Sequence, residues 1–172
     1  MTAFFDIDTQ LDFLYPGGAL YTRGAETVIP AVAALNRYAG AHGIPLISTV
    51  CCHAEDAEEF KIWPPHCIAG TWGQKKPAAT IVPGQTIVEK NELDLFSNPR
   101  TESLLEAECV VYGVLTEYCV KLAVMGMLQR GRKVSLVTDA IYHLSEPEAA
   151  RTIHEFLNAG GICIEKKSLL SH

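Results

Sequence analysis

Short apolar runs alternate along the chain with stretches whose apolar residues recur at helical spacing. Ala3 to Ile7 predicts a buried strand, and Ala25 to Ala41 a helix carrying Val28, Val32, Leu35 and Ala39 along one stripe. Pro30 lies near the start of that helix, where a missing N–H costs little, and Gly43 closes it. Ile44 to Cys51 predicts the second strand. Thr86 to Val88 predicts a short third one, followed by a short helix over Pro99 to Glu106. Cys109 to Val114 is the next strand, Glu117 to Gln129 a helix ended by Gly131, and Lys133 to Thr138 a further strand. Glu146 to Ala159, with Pro147 at its start, predicts the last long helix, and Ile162 to Ile164 the last strand. Residues 54–85 show no periodicity. A loop of that length is usually functional or disordered, and Trp63, Trp72 and its His and Cys residues argue for order.

Buried strands alternating with helices imply an α/β fold, a three-layer αβα arrangement around a mostly parallel, doubly wound sheet. A chain of 172 residues fits one domain, 1–172, with a full core. In such a sheet ligands bind beyond the carboxyl ends of the strands. Asp8, His53, Lys90 and Cys119 all fall there. Cys119 belongs to the segment Gly113 to Cys119, in the first turn of a helix. Free backbone N–H groups and the positive end of the helix dipole there favour thiolate and can stabilise an adjacent oxyanion. The N–H groups near Leu115 and Cys119 are the candidate oxyanion donors. Asp8 is placed to accept the thiol proton and pass it to a leaving amine, and Lys90 to hold acid and base in position. An acid, an amine and a thiol at three strand ends point to a hydrolytic site.

The net charge of −6, without a compensating Lys/Arg cluster, disfavours a nucleic-acid surface. No apolar stretch reaches the roughly 18 residues of a membrane span. Immediate entry into a strand is read as excluding a cleavable signal sequence, so a cytoplasmic, reducing setting is expected for the six cysteines. A competing reading is a redox or metal-binding protein built on Cys51, Cys52, Cys67 and Cys119; it leaves Asp8 and Lys90 unexplained.

Asp8-Thr9-Gln10-Leu11-Asp12-Phe13, followed by Pro16-Gly17-Gly18-Ala19-Leu20, resembles the opening motif of the isochorismatase-like cysteine hydrolases. Gly113 to Val120 is similar to that family's nucleophile motif, Lys90 with Phe96 to its lysine segment, and Thr138-Asp139-Ala140 to the strand end after the nucleophile helix. The resemblance covers nearly the whole chain. It implies Cys119 as nucleophile, Asp8 as general base, Lys90 as third triad member, and a cis peptide in the segment matching Val114-Leu115. Trp63 to Thr71 looks like the nicotinamidase branch, where this segment lines the substrate pocket. That implies Phe13 and Trp63 as the pair sandwiching a flat pyridine ring. The branch's metal positions read Asp, His, His and His. Here Cys51 and Glu59 stand for the Asp and the middle His, while His53 and His66 remain. Cys51 and His53, two apart at a strand end, share one face. Cys51, His53, Glu59 and His66 are a sensible set for zinc, or for manganese or iron, with Asp56 the alternative to Glu59. The expected activity is hydrolysis of a small carboxamide, nicotinamide first. A ureido or carbamoyl compound becomes the alternative if Cys51 has removed the metal. A homo-oligomer is a family expectation, with the helix around Met125, Met127 and Leu128 as one candidate interface.

Overall fold

The computed structural model describes residues 1–171; position 172 lies outside them. Six parallel strands form one sheet in the order β3-β2-β1-β4-β5-β6. They are β1 (Thr2–Ile7), β2 (Leu46–Cys51), β3 (Thr86–Lys90), β4 (Glu108–Val114), β5 (Lys133–Tyr142) and β6 (Ile162–Ile164). The helices are α1 (Leu11–Leu14), α2 (Ile29–Ala41), α3 (Arg100–Leu104), α4 (Lys121–Gln129), α5 (Glu146–Asn158) and α6 (Lys167–Leu170). The order reverses direction between β1 and β4, which is where a doubly wound sheet opens a crevice for ligands.

Side chains of successive strand residues leave opposite faces of the sheet. Phe4, Val110 and Tyr112 therefore pack with Val28, Val32 and Leu35 of the α2 side, while Phe5, Ile7 and Val111 pack with Val120, Val124, Met127 and Phe156 of the α4 and α5 side. That is the three-layer αβα arrangement the pattern implied. Met127 is fully buried here, and the partly buried Met125 and Leu128 pack against the same core, so this stripe holds the helix to the sheet. Among the described residues no helix is long and apolar enough to cross a membrane.

The long segment after β2 is ordered by polar ties. Buried Asp6 pairs with Lys76 at 3.0 Å and accepts hydrogen bonds from Asn36 Nδ2 and Thr9 Oγ1, each at 2.7 Å. Asn36 in turn takes the Tyr112 hydroxyl at 2.7 Å. This network fastens α2 and the 74–80 stretch to the centre of the sheet, an order that apolar periodicity does not record. Several element bounds also differ from the sequence expectation. The helix expected from Glu117 opens with a wide π turn, Thr116–Val120, in which Val120 N–H reaches Leu115 C=O at 3.2 Å. β5 runs on past Thr138 to Tyr142, its pairing with β4 shifting register between Val111 and Gly113.

Candidate active site

The strand order decides which side chains meet. Asp8 follows β1, Cys119 lies in the turn after β4, and Lys90 ends β3. β2 lies between β1 and β3, so its last residue, Cys51, stands between Asp8 and Lys90 and pairs with Lys90 in register. Lys90 Nζ lies 2.8 Å from Asp8 Oδ2, 3.3 Å from Cys51 Sγ and 3.5 Å from Cys119 Sγ, and it donates to the Glu92 carbonyl at 3.0 Å. The Thr49 hydroxyl donates to Asp8 Oδ1 at 2.6 Å. The three residues expected as a triad are thus brought together, fully inside the protein. Asp8 adopts φ of 47°, a left-handed conformation rare for a residue with a side chain and commonest at functional sites. The Val114–Leu115 peptide is cis.

Burial alone would raise the Asp8 carboxyl, but the Lys90 charge and the hydrogen bonds to it hold it below its usual range. Burial would lower Lys90, and the Asp8 charge more than reverses that, so this amine stays an ammonium. Cys119 departs from the sequence expectation. Its hydrogen bond with Cys51 and its burial push the thiol well up, with Lys90 opposing them. The resting site therefore holds a carboxylate, an ammonium and a neutral thiol. The thiol proton has its acceptor in Asp8, and thiolate need only form as the proton moves.

A second cluster stands beside the first. Glu59 bridges two imidazoles, with Oε2 3.7 Å from His53 Nε2 and Oε1 3.6 Å from His66 Nε2. Both histidines are buried. Neither ring nitrogen of His53 has a hydrogen-bond partner, although each is out of solvent. Burial, then the neighbouring His66 and Lys90 charges, lower His53 to about 4, so the ring is neutral and its lone pair is available. His66 Nδ1 faces the Pro64 carbonyl at 2.8 Å, which directs Nε2 toward Glu59. Ligand atoms of His53, Glu59 and His66 lie within 4.8 Å of one another. A neutral His53 imidazole with both ring nitrogens unpartnered, a second imidazole and a carboxylate fit a divalent metal with a coordination position left open. Cys51 does not join this cluster: its thiol groups with Asp8 and Cys119 instead. β2 directs that side chain into the gap between Asp8 and Lys90, apart from the other three expected ligands. Asp56 is exposed, and Glu59 takes the place between the histidines.

One cleft touches both clusters. Phe13, Trp63, Leu115, Tyr118 and Leu144 line it, with Cys119, Cys51, Glu59 and His66 at its polar end. It encloses about 330 Å³ counted with the solvent at its mouth. Phe13 lies 5.7 Å from the His66 ring, and Trp63 packs edge-on against Tyr118 at 5.1 Å, so the expected aromatic pair does flank the cleft.

Three supporting residues escaped the sequence reading. Gln10 clamps the end of β2, donating to the Cys51 carbonyl at 2.8 Å and accepting from the Cys51 N–H at 2.7 Å. Asp12 accepts from the Cys67 N–H at 2.6 Å and so anchors the loop that carries His66. Glu117 accepts from the N–H groups of Leu144 and Ser145 at 2.8 and 2.7 Å, which fixes the Leu144 wall of the cleft. Gln10 and Asp12 share alternate positions with Asp8, a signal that was present but uninterpretable without the partners.

The isochorismatase domain model matches residues 2–168. The chain belongs to the isochorismatase family. It is 25% identical over 192 residues to a nicotinamidase of Escherichia coli, covering 90% of this chain and 90% of that one. A nicotinamidase of Saccharomyces cerevisiae is 27% identical and covers 66% of this chain and 62% of its own length. The pyrazinamidase of Pyrococcus horikoshii, solved in complex with zinc, superposes with a TM-score of 0.89 at 25% identity, covering 95% of this chain and 98% of that one. The chain is an amidohydrolase of this family, and its parallel sheet with flanking helices is the family's α/β fold.

Proposed function

We infer that the chain hydrolyses a small aromatic carboxamide, nicotinamide or its pyrazine analogue first, to the acid and ammonia. The observation carrying this is an apolar cleft lined by Cys119, behind which Asp8 and Lys90 stand, and by Glu59 and His66 of the His53–Glu59–His66 cluster. In this reading the flat ring lies between Phe13 and Trp63, which both line the cleft, with its carboxamide over Cys119. The relatives named nicotinamidase and pyrazinamidase support the substrate class.

In this reading Asp8 accepts the Cys119 thiol proton while sulfur attacks the carboxamide carbon. The backbone N–H groups of Leu115 and Cys119 receive the oxyanion. Asp8 then gives its proton to the departing ammonia, leaving a thioester. Water enters, Asp8 takes a proton from it, and hydroxide releases the acid and restores the thiol. Lys90 keeps Asp8 ionised at rest and fixes its orientation through the 2.8 Å ion pair. His53, Glu59 and His66 are the residues that would hold a divalent metal, whose chemistry would be to bind a ring nitrogen and orient the ring. The displacement of Cys51 from that set favours a second reading, a ureido or carbamoyl substrate that needs no ring-nitrogen ligand.

Ammonia release from nicotinamide and from pyrazinamide, with and without zinc, manganese or iron, tests the proposal. Release that disappears in Cys119→Ala is the expected result. Absence of release with every metal would overturn the aromatic carboxamide assignment.

A further inference from the structure

Cys51 has no part in the chemistry just described, yet its thiol sits inside the catalytic group. Cys51 Sγ, Cys119 Sγ and an Asp8 oxygen all lie within 4.8 Å of one another. Both sulfurs contact the same Lys90 ammonium, at 3.3 and 3.5 Å, and Cys51 Sγ also lies 3.6 Å from Asp8 Oδ2. Gln10 pins the Cys51 backbone through both its N–H and its carbonyl, which holds this strand end beside the site. Both cysteines line the cleft, whose apolar walls restrict large reagents but not a small peroxide. Cys52, one residue on, does not line the cleft.

We propose that Cys51 is a resolving thiol for Cys119, so that a hydroperoxide converts the pair to an intramolecular disulfide that switches the enzyme off reversibly. The proposal rests on Cys119 being the reactive thiol, as above. In the first step Asp8 takes the Cys119 proton and the sulfur attacks one peroxide oxygen. The S–O bond forms and the O–O bond breaks. The departing hydroxide takes the proton from Asp8 and leaves as water, while sulfur is oxidised by two electrons to sulfenic acid. In the second step Cys51 sulfur attacks Cys119 sulfur. The S–S bond forms, the S–O bond breaks, and the hydroxyl leaves as water with the Cys51 proton. Two thiols and one peroxide give one disulfide and two waters. Disulfide bonding requires the sulfurs, which lie within 4.8 Å of each other, to close to about 2.05 Å by movement of the Cys51 side chain at the end of β2 and the Cys119 side chain in the turn after β4. The neutral disulfide also suits its place beside Lys90, where binding a soft cation to the two sulfurs would set like charges together. Fast capture by Cys51 keeps the nucleophile from the irreversible sulfinic acid.

The test is thiol counting and peptide mapping after treating the whole protein with a small excess of hydrogen peroxide, a readout that needs no substrate. Titratable thiols in denaturant are expected to fall from six to four, six less the bonded pair. A Cys51–Cys119 cross-linked peptide, lighter by two hydrogens and cleaved by dithiothreitol, should account for the loss. Cys51→Ser should instead accumulate Cys119 sulfinic acid that dithiothreitol does not reverse, and Cys52→Ser should behave as the wild type. Wild-type protein that goes straight to Cys119 sulfinic acid with Cys51 still free would overturn the proposal. So would a disulfide between Cys119 and Cys52. The wild-type map decides the matter even if Cys51→Ser fails to fold. A protein that forms the disulfide but releases no ammonia from nicotinamide would sink the substrate assignment and leave the switch intact.

Discussion

Asp8→Asn removes the charge of the catalytic carboxylate while preserving its shape. In the native site that carboxylate lies 2.8 Å from Lys90 Nζ with neither side chain exposed, and it takes the Thr49 hydroxyl at 2.6 Å. Deleting one partner of a buried ion pair typically costs about 3–5 kcal/mol, because the other charge is left uncompensated. The amide retains one carbonyl acceptor, and Lys90 keeps its 3.0 Å bond to the Glu92 carbonyl, so the lower end, about 3 kcal/mol, is expected. For a chain of this size that corresponds to a fall in Tm of about 6–12 °C. Adding Lys90→Met removes the stranded charge, and the double variant should be more stable than Asp8→Asn by at least about 1 kcal/mol. Activity should behave differently. Loss of the proton acceptor lowers kcat/KM by about 10²–10⁴, and the double variant recovers none of it. The pH dependence has a defined sign. The Asp8 carboxyl is held below its ordinary value of 3.8, so the folded state binds this proton less readily than the unfolded chain. The wild-type advantage over Asp8→Asn is therefore complete above about pH 5 and is lost as pH falls through the lowered value. Thermal melts from pH 3 to about 8, paired with ammonia release by the two variants, read both effects. Strictly additive stability losses, or activity within about tenfold of wild type, would refute the reasoning.

Zinc is expected to bind one per chain by calorimetry, at least about 100-fold more weakly in His53→Ala, and unchanged in Cys51→Ser; equal weakening in both variants would return Cys51 to the ligand set. Without metal, His53 stays neutral to about 4 in the folded protein against 6.5 ordinarily. The unfolded chain binds that proton first, so stability should fall between about pH 6.5 and 4, by at most about 3 kcal/mol, and denaturant titrations of His53→Gln should lack this slope. Gly113 has φ of 118°, and a Cβ there would overlap the Ile7 carbonyl oxygen on the neighbouring strand. Gly113→Ala should cost at least about 3 kcal/mol, and an unchanged Tm would count against the close approach of β1 and β4.

The alternation of buried strands and amphipathic helices made the layered fold legible, since each run obeyed the period of its element. The position of Asp8, Lys90 and Cys119 at strand ends was legible for the same reason: a parallel sheet gathers its carboxyl ends along one edge. What stayed hidden depends on neighbours rather than on runs. The 54–85 segment is held by Lys76 on Asp6 and by Asp12 on the Cys67 N–H, single polar contacts between distant positions. For Cys119 the helix dipole is visible in the sequence, whereas Cys51 beside the thiol, which pushes it up, is not.

Cys51 shows how strand order changes the meaning of a residue. Spacing pairs it with His53, yet Cys51 lines the cleft and His53 joins Glu59 and His66. β2 runs between the strands that carry Asp8 and Lys90, so its final side chain must share their space. A carboxylate at that point would compete with Asp8 for the Lys90 ammonium and lend a negative charge to the His53–Glu59–His66 cluster. A thiol side chain brings no carboxylate to either place. It leaves Asp8 as the sole carboxylate on Lys90, leaves Glu59 as the only anion between the two histidines, and sets a second sulfur beside the nucleophile. One exchange of side chain thus shifts charge away from metal binding and adds a route for thiol oxidation, with the hydrolytic triad itself untouched.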